Sequence, residues 1–114
     1  MRIIATRLLV WAEAMTITPE LILMRPERMG DEALLAHEMT HCRQMRRVGT
    51  LAWWWRYVTD SKFRLAAELE AYRVQIAMAP WALDAICTLL ATRYFLAITP
   101  QQAKTLLLQP GSKS

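Results

Sequence analysis

Residues 31–49, DEALLAHEMTHCRQMRRVG, constrain this chain more than any other stretch. Asp31, just after Gly30, suits a helix N-cap, and Gly49 suits a stop, so a helix is expected over about residues 32–47. A helix turns by about 100° per residue. With His37 at zero, His41 falls at about 40° and Glu38 at about 100°, on one flank. Leu35, Met39 and Cys42 gather between about 140° and 200°, and Arg43 and Arg47 share a third sector with Ala36. An apolar side and a solvated basic side are ordinary. A side with two imidazoles and a carboxylate needs an explanation.

Metal chemistry supplies one. Two histidines one turn apart can aim ring nitrogens at a single ion, with bonds of about 2.0–2.1 Å for zinc. The carboxylate next to the first histidine cannot easily reach that ion, but it can reach a water held there. Zinc lowers the pKa of such a water toward ~7, which makes Glu38 the general base of a peptide hydrolysis. The bland alternative is a pair of surface or capped core histidines that share a helix. Separating the two requires a third protein ligand, because catalytic zinc keeps three and leaves a fourth position open.

His37 and His41 are the chain's only histidines, so the third ligand is Asp, Glu or Cys. The segment LAAELEAYRVQI carries an apolar stripe at Leu65, Leu69, Tyr72 and Ile76, a helical spacing. Glu68 lies on that stripe and Glu70 does not. A carboxylate on a buried face must be paired or bound to a metal. Glu68 is therefore the expected ligand, with Glu70 as fallback. The competing reading is an ion pair of Glu68 with Arg64 or Arg73. Cys42 sits on the apolar side of its helix and is read as packing.

The remainder of the chain frames these two helices. Ile4, Leu8 and Trp11 have helical spacing, so a helix is expected over residues 3–13. Thr16 to Thr18 and Leu21 to Arg25, separated by Pro19-Glu20, suggest a small β-hairpin or two short strands. LAWWWRYV is expected to be helical. KFRLAAELEAYRVQIAMA forms a helix stopped by Pro80, and WALDAICTLLATRYFLAI a further one. Thr99, Pro100 and Gln102 form a capping-box start for the last helix. Gly111 to Ser114 look like a frayed tail.

The 114 residues suit one domain, 1–114, and an apolar fraction of 54% argues for a folded chain. Arg25, Arg56 and Arg93 interrupt every apolar run before it reaches a membrane span, and Arg7 and Glu13 spoil a signal peptide. Two cysteines make no disulfide framework. The expected location is the cytoplasm. A net charge of +4 does not demand nucleic acid.

Three pieces together, LILMRPE, LLAHEMTHCRQ and ELEAY, resemble the small zincin-like metallopeptidases of bacteria and phages, within the wider glutamate-zincin group. The resemblance covers roughly residues 16–78. The helix follows the HE-x-T-H-x-x-Q-like pattern of zincin-like domains, many of them functionally uncharacterised. ELEAYRVQIAMAP is similar, more distantly, to the ImmA/IrrE metallopeptidases, which act in cleaving repressors of mobile elements. In such families the first glutamate of the block is the metal ligand, which again implies Glu68. The membrane-embedded proteases of the group have an aspartate where Tyr72 stands here. The resemblance implies an α+β minimal zincin-like fold, with a small β-hairpin or edge strands packed on about four or five helices. It implies zinc held by His37, His41 and Glu68, and a protein or peptide substrate.

It also gives the strand before the motif helix a role. Leu21, Ile22, Leu23, Met24 and Arg25 are expected to form an edge strand that pairs with extended substrate. Of the available tyrosines, Tyr72 is the candidate oxyanion stabiliser. Trp53, Trp54 and Trp55 cannot all face one side of a helix. They are read as core packing, with a wall of the substrate cleft or a peripheral membrane contact as functional alternatives. A zinc-binding domain that works as a regulator or structural component, without catalysis, is the rival reading.

Overall fold

The computed structural model describes residues 1–9 and 11–109, so Val10 and the expected frayed tail at 111–114 lie outside the described residues. Three strands, β1 (Arg2–Ala5), β2 (Ala14–Thr18) and β3 (Leu21–Met24), precede five α-helices. These are α1 (Glu32–Val48), α2 (Thr50–Thr59), α3 (Ser61–Met78), α4 (Leu83–Thr92) and α5 (Pro100–Leu107). The fold is α+β, as expected. Among the described residues no helix is long and apolar enough to cross a membrane.

Of the N-terminal helix expected over 3–13, the described residues form a strand and loop instead. The stripe that suggested it buries little, since Ile4, Leu8 and Trp11 are all exposed. Arg2 to Ala5 run parallel to β3, with Ile3 opposite Ile22 and packed on the small core of Ala14, Ile22, Met24, Leu34 and Cys42. β-branched residues with one face on a core favour the extended form over a helix with nothing to cover.

β2 and β3 do form the expected hairpin, antiparallel, with an irregularity between Thr16 and Thr18. The sheet order is β1-β3-β2, however, which puts β3 in the middle. Leu21 to Met24 are paired on both sides, so they cannot add a substrate strand. Arg25 lies beyond the strand, where its guanidinium donates to the Leu9 carbonyl and to Glu27. This corrects the edge assigned to Leu21–Arg25. The open edge beside the motif helix is β2. The Arg25 N–H donates to the Glu13 carbonyl, which fixes the alternation. In that alternation Met15 faces β3, and the backbone groups of Ala14 and Thr16 point outward.

Asp31 caps α1 by accepting from the Leu34 N–H, and Gly49, at φ 98°, ends it in a region that favours glycine. Two sides of α1 are buried. Leu34, Cys42 and Met45 enter the core, while His37, Glu38, His41 and Gln44 form a buried polar face. Met39, expected on the apolar side, is exposed, and Leu35 is only half-buried. α2 links α1 to α3, and the three share a core of Met45, Trp53 and Ala67. α3, α4 and α5 enclose another core around Leu69, Tyr72, Ile86 and Leu90.

The helix expected over 81–98 is shorter. A 3-10 turn at Pro80–Ala82 leads into α4, which stops at Thr92. Beyond it Tyr94, Leu96 and Ile98 are half-buried, alternating with exposed Phe95 and Ala97. That two-residue period does not suit a helix. Phe95 and Ala97 also adopt positive φ, at 55° and 56°. The capping box of Thr99 and Gln102 then starts α5 as expected.

Candidate metal centre

α1 and α3 lie side by side, and their facing polar residues meet in one place. His37, His41 and Glu68 each offer a ligand atom, all within 4.8 Å of one another. His37 Nε2 lies 3.2 Å from Glu68 Oε1, and His41 Nε2 lies 3.4 Å from Glu68 Oε2. All three residues are buried. Neither arginine of the competing reading reaches Glu68: Arg64 donates to the carbonyls of Tyr57, Tyr94 and Phe95, and Arg73 to that of Leu106. Glu70 accepts from Gln44 and Arg47 at the outer end of the cluster. It supports the site and does not enter it.

The donor atoms fit a metal. Glu68 Oε1 is buried without a hydrogen-bond partner, and His37 Nδ1 is too. The 3.2 Å approach of His37 therefore lacks hydrogen-bond alignment. Two ligands at ~2.0–2.1 Å on a tetrahedral ion stand about 3.3–3.4 Å apart, close to the two separations observed. A shared cation would satisfy a buried carboxylate that is otherwise short of partners.

Gln44 sets the orientation of His41. Its Oε1 accepts from the indole N–H of Trp53 at 3.1 Å, and its amide nitrogen donates to the Ala67 carbonyl and to Glu70. Since indole is only a donor, Gln44 Oε1 is an acceptor, and His41 Nδ1, 2.9 Å away, carries the hydrogen it receives. His41 Nε2 is thereby the atom left to face Glu68, either protonated or bound to a metal. Burial alone would lower the His41 pKa, but the Glu68 carboxylate beside it prevails and raises it to about 9. Burial would likewise raise the Glu68 pKa, yet the two histidines hold it below the usual carboxylate range.

Two expected results follow. Gln44→Ala should weaken zinc binding by about 10–100-fold, as loss of outer-shell partners does, measured by chelator competition. A zinc ion held there would have to displace the proton of His41 Nε2. Because that pKa stands above the free value of 6.5, the His41–Glu68 ion pair of the metal-free protein is intact below 6.5 and lost as pH rises through about 9. Zinc affinity should run the opposite way, strengthening from pH 6 toward about 9 and then levelling. Calorimetric titration in buffers of different ionisation enthalpy reads the released proton. A flat affinity over that window would contradict it.

Glu38 is placed beside this cluster and not in it. Thr16, on the open-edge strand, shares its hydroxyl between Glu38 Oε1 at 2.8 Å and the Glu38 carbonyl at 2.9 Å. Glu38 Oε2 is left 3.9 Å from His37 Nε2. Both carboxylates line a cleft of about 350 Å³, walled by Trp11, Met15, Trp54, Tyr57, Tyr94 and Phe95.

The tyrosines are arranged differently from expectation. Tyr72 packs edge-on to His37 at 4.3 Å, and its hydroxyl is 2.6 Å from that of Tyr94, which lines the cleft when Tyr72 does not. Tyr72 thus backs His37, while Tyr57 and Tyr94 are the tyrosines that line the cleft. Tyr57 donates to Glu68 Oε2 at 2.5 Å, and burial together with the Glu68 charge raises its pKa, so it keeps its proton.

The three tryptophans also divide. Trp53 is buried and stacked on Tyr57, and Trp54 donates to the Ile17 carbonyl. Of the three only Trp55 is exposed, so they do not present a shared surface of three rings. Trp53 belongs to the core and also lines the cleft, as Trp54 does. Gln44, Thr16 and Tyr57 went unassigned from the sequence. Gln44 stands seven residues after His37 and three after His41, a helical spacing that places it on their face. Thr16 and Tyr57 come from other elements and carried no such signal.

Residues 6–49 match the eCIS core domain. That family is named for extracellular contractile injection systems and not as a zincin. The match takes in β2, β3 and α1, and so Thr16, His37, Glu38, His41 and Gln44; Glu68 lies beyond it. No curated protein and no solved structure matches the chain.

Proposed function

We propose that this protein is a zinc-dependent peptidase of the glutamate-zincin kind, with His37, His41 and Glu68 as ligands and Glu38 as general base. The observation that carries the reading is the partnerless Glu68 Oε1, buried among two imidazole nitrogens beside an open cleft. Zinc bound there would polarise a peptide carbonyl and acidify a water. Thr16 holds Glu38 Oε1, which leaves Oε2 to take the proton of the attacking water and pass it to the leaving amine. The outward backbone groups of Ala14 and Thr16 on β2 receive the substrate as an added strand. Tyr94 stands on the wall as donor to the developing oxyanion.

A second reading draws on the match over residues 6–49: a component of an extracellular contractile injection system that binds zinc for structure or regulation and does not cut. Incubating the zinc-loaded protein with a diverse peptide mixture, and reading products by mass spectrometry, separates the two. The peptidase should produce cuts that stop in chelator and resume with zinc. Full zinc loading without any product would favour the second reading.

A further inference from the structure

The cleft has a feature that hydrolysis by itself does not use. Arg93 ends α4 and lines the cleft, and among the described residues no carboxylate pairs with it. The two carboxylates of the cleft are engaged elsewhere, Glu38 with Thr16 and Glu68 with Tyr57 and the histidines. Two residues on, Phe95 is 90% exposed at positive φ. A bulky residue keeps that backbone only where its surroundings impose it.

Arg64 imposes it here. Its guanidinium donates to the Tyr94 carbonyl at 2.8 Å, to the Phe95 carbonyl at 3.3 Å and to the Tyr57 carbonyl at 2.6 Å. Arg64 stands one helical turn before Glu68 on α3, so the turn bearing Arg93 and Phe95 is indexed to the helix that carries a metal ligand. Most of the remaining wall is apolar, including Trp11, Met15 and Trp54. A cation without a partner, beside exposed aromatic surface and an open strand edge, fits a peptide that brings both a carboxylate and a large apolar side chain.

We infer that Arg93 and Phe95 form a specificity subsite that selects extended peptides carrying an acidic residue next to a large apolar one. This rests on the peptidase reading of the same cleft. Arg93 binds the acidic side chain through paired N–H donors, and Phe95 covers the apolar neighbour.

Binding can be read apart from cleavage with zinc-loaded Glu38→Gln protein, following tryptophan fluorescence. The probes are end-blocked alanine-based peptides containing Phe-Glu or Glu-Phe, against the same peptides with Gln in place of Glu. One Glu peptide should bind roughly tenfold more tightly than its Gln counterpart. Arg93→Gln should erase that difference without changing zinc content. Phe95→Ala should weaken Glu and Gln peptides alike. Equal affinity for Glu and Gln peptides, or a preference that survives Arg93→Gln, overturns the subsite. If the wild type still cuts the peptide mixture in that case, the peptidase reading stands without it; no binding and no cutting removes both.

Discussion

Glu38→Gln should keep its zinc and lose peptide cleavage, with kcat/KM lower by about 10²–10⁴-fold, the usual contribution of a positioned acid–base group. The side chains are nearly isosteric, and an amide oxygen can still accept from Thr16 at the Oε1 position. What disappears is the basic oxygen at Oε2, the one Thr16 leaves unengaged. None of the three ligand atoms is altered, so one zinc per chain should remain by elemental analysis. That combination, full metal and little rate, distinguishes a base from a ligand. A variant that cleaves as fast as wild type would remove Glu38 from the chemistry.

Glu68→Ala should fail in the other way, by losing the metal. The change takes away one of three ligands, so zinc affinity should fall by more than the ~10–100-fold typical of an outer-shell loss. In the wild type, zinc at 100 times its dissociation constant should stabilise the fold by about 2.7 kcal/mol. For a domain of this size that raises the melting temperature by roughly 10 °C. The variant should show no such rise and no sensitivity to chelator. Its stability without metal is the balance of two opposed effects. The Tyr57 hydroxyl loses its acceptor, at a cost of about 1–3 kcal/mol, while the burial of a charge is relieved. The zinc-dependent rise is therefore the clean measurement. Stoichiometric zinc with an unchanged rise would rule Glu68 out as a ligand.

The local signals were legible where one element contained them. Asp31 and Gly49 bound α1, Thr99 and Gln102 start α5, and the spacing of His37 and His41 puts both on one flank. Glu68 was legible for a related reason: a carboxylate on an apolar stripe needs a partner. The expected helices at 3–13 and beyond Thr92 failed because a stripe of apolar residues shows periodicity but not what will cover it. At 94–98 half-buried and exposed residues alternate along an irregular segment with positive φ at Phe95 and Ala97, and a helix-length apolar run concealed that.

By itself, then, the sequence determined the motif helix, its capping and the three residues His37, His41 and Glu68 that meet in the fold, with Glu38 beside them, because each follows from spacing along a single helix or from the burial of one charge. Tertiary structure decided the rest. It made β2 the open edge, since strand order depends on which neighbours pair and not on the strand's own residues. It brought Thr16 to Glu38 across 22 positions and Tyr57 to Glu68 across 11. It also set Arg93 and Phe95 in the cleft lined by His37, His41 and Glu68, in a turn held by Arg64. Such contacts join elements through packing and hydrogen bonds between side chains, which no periodicity in the chain records.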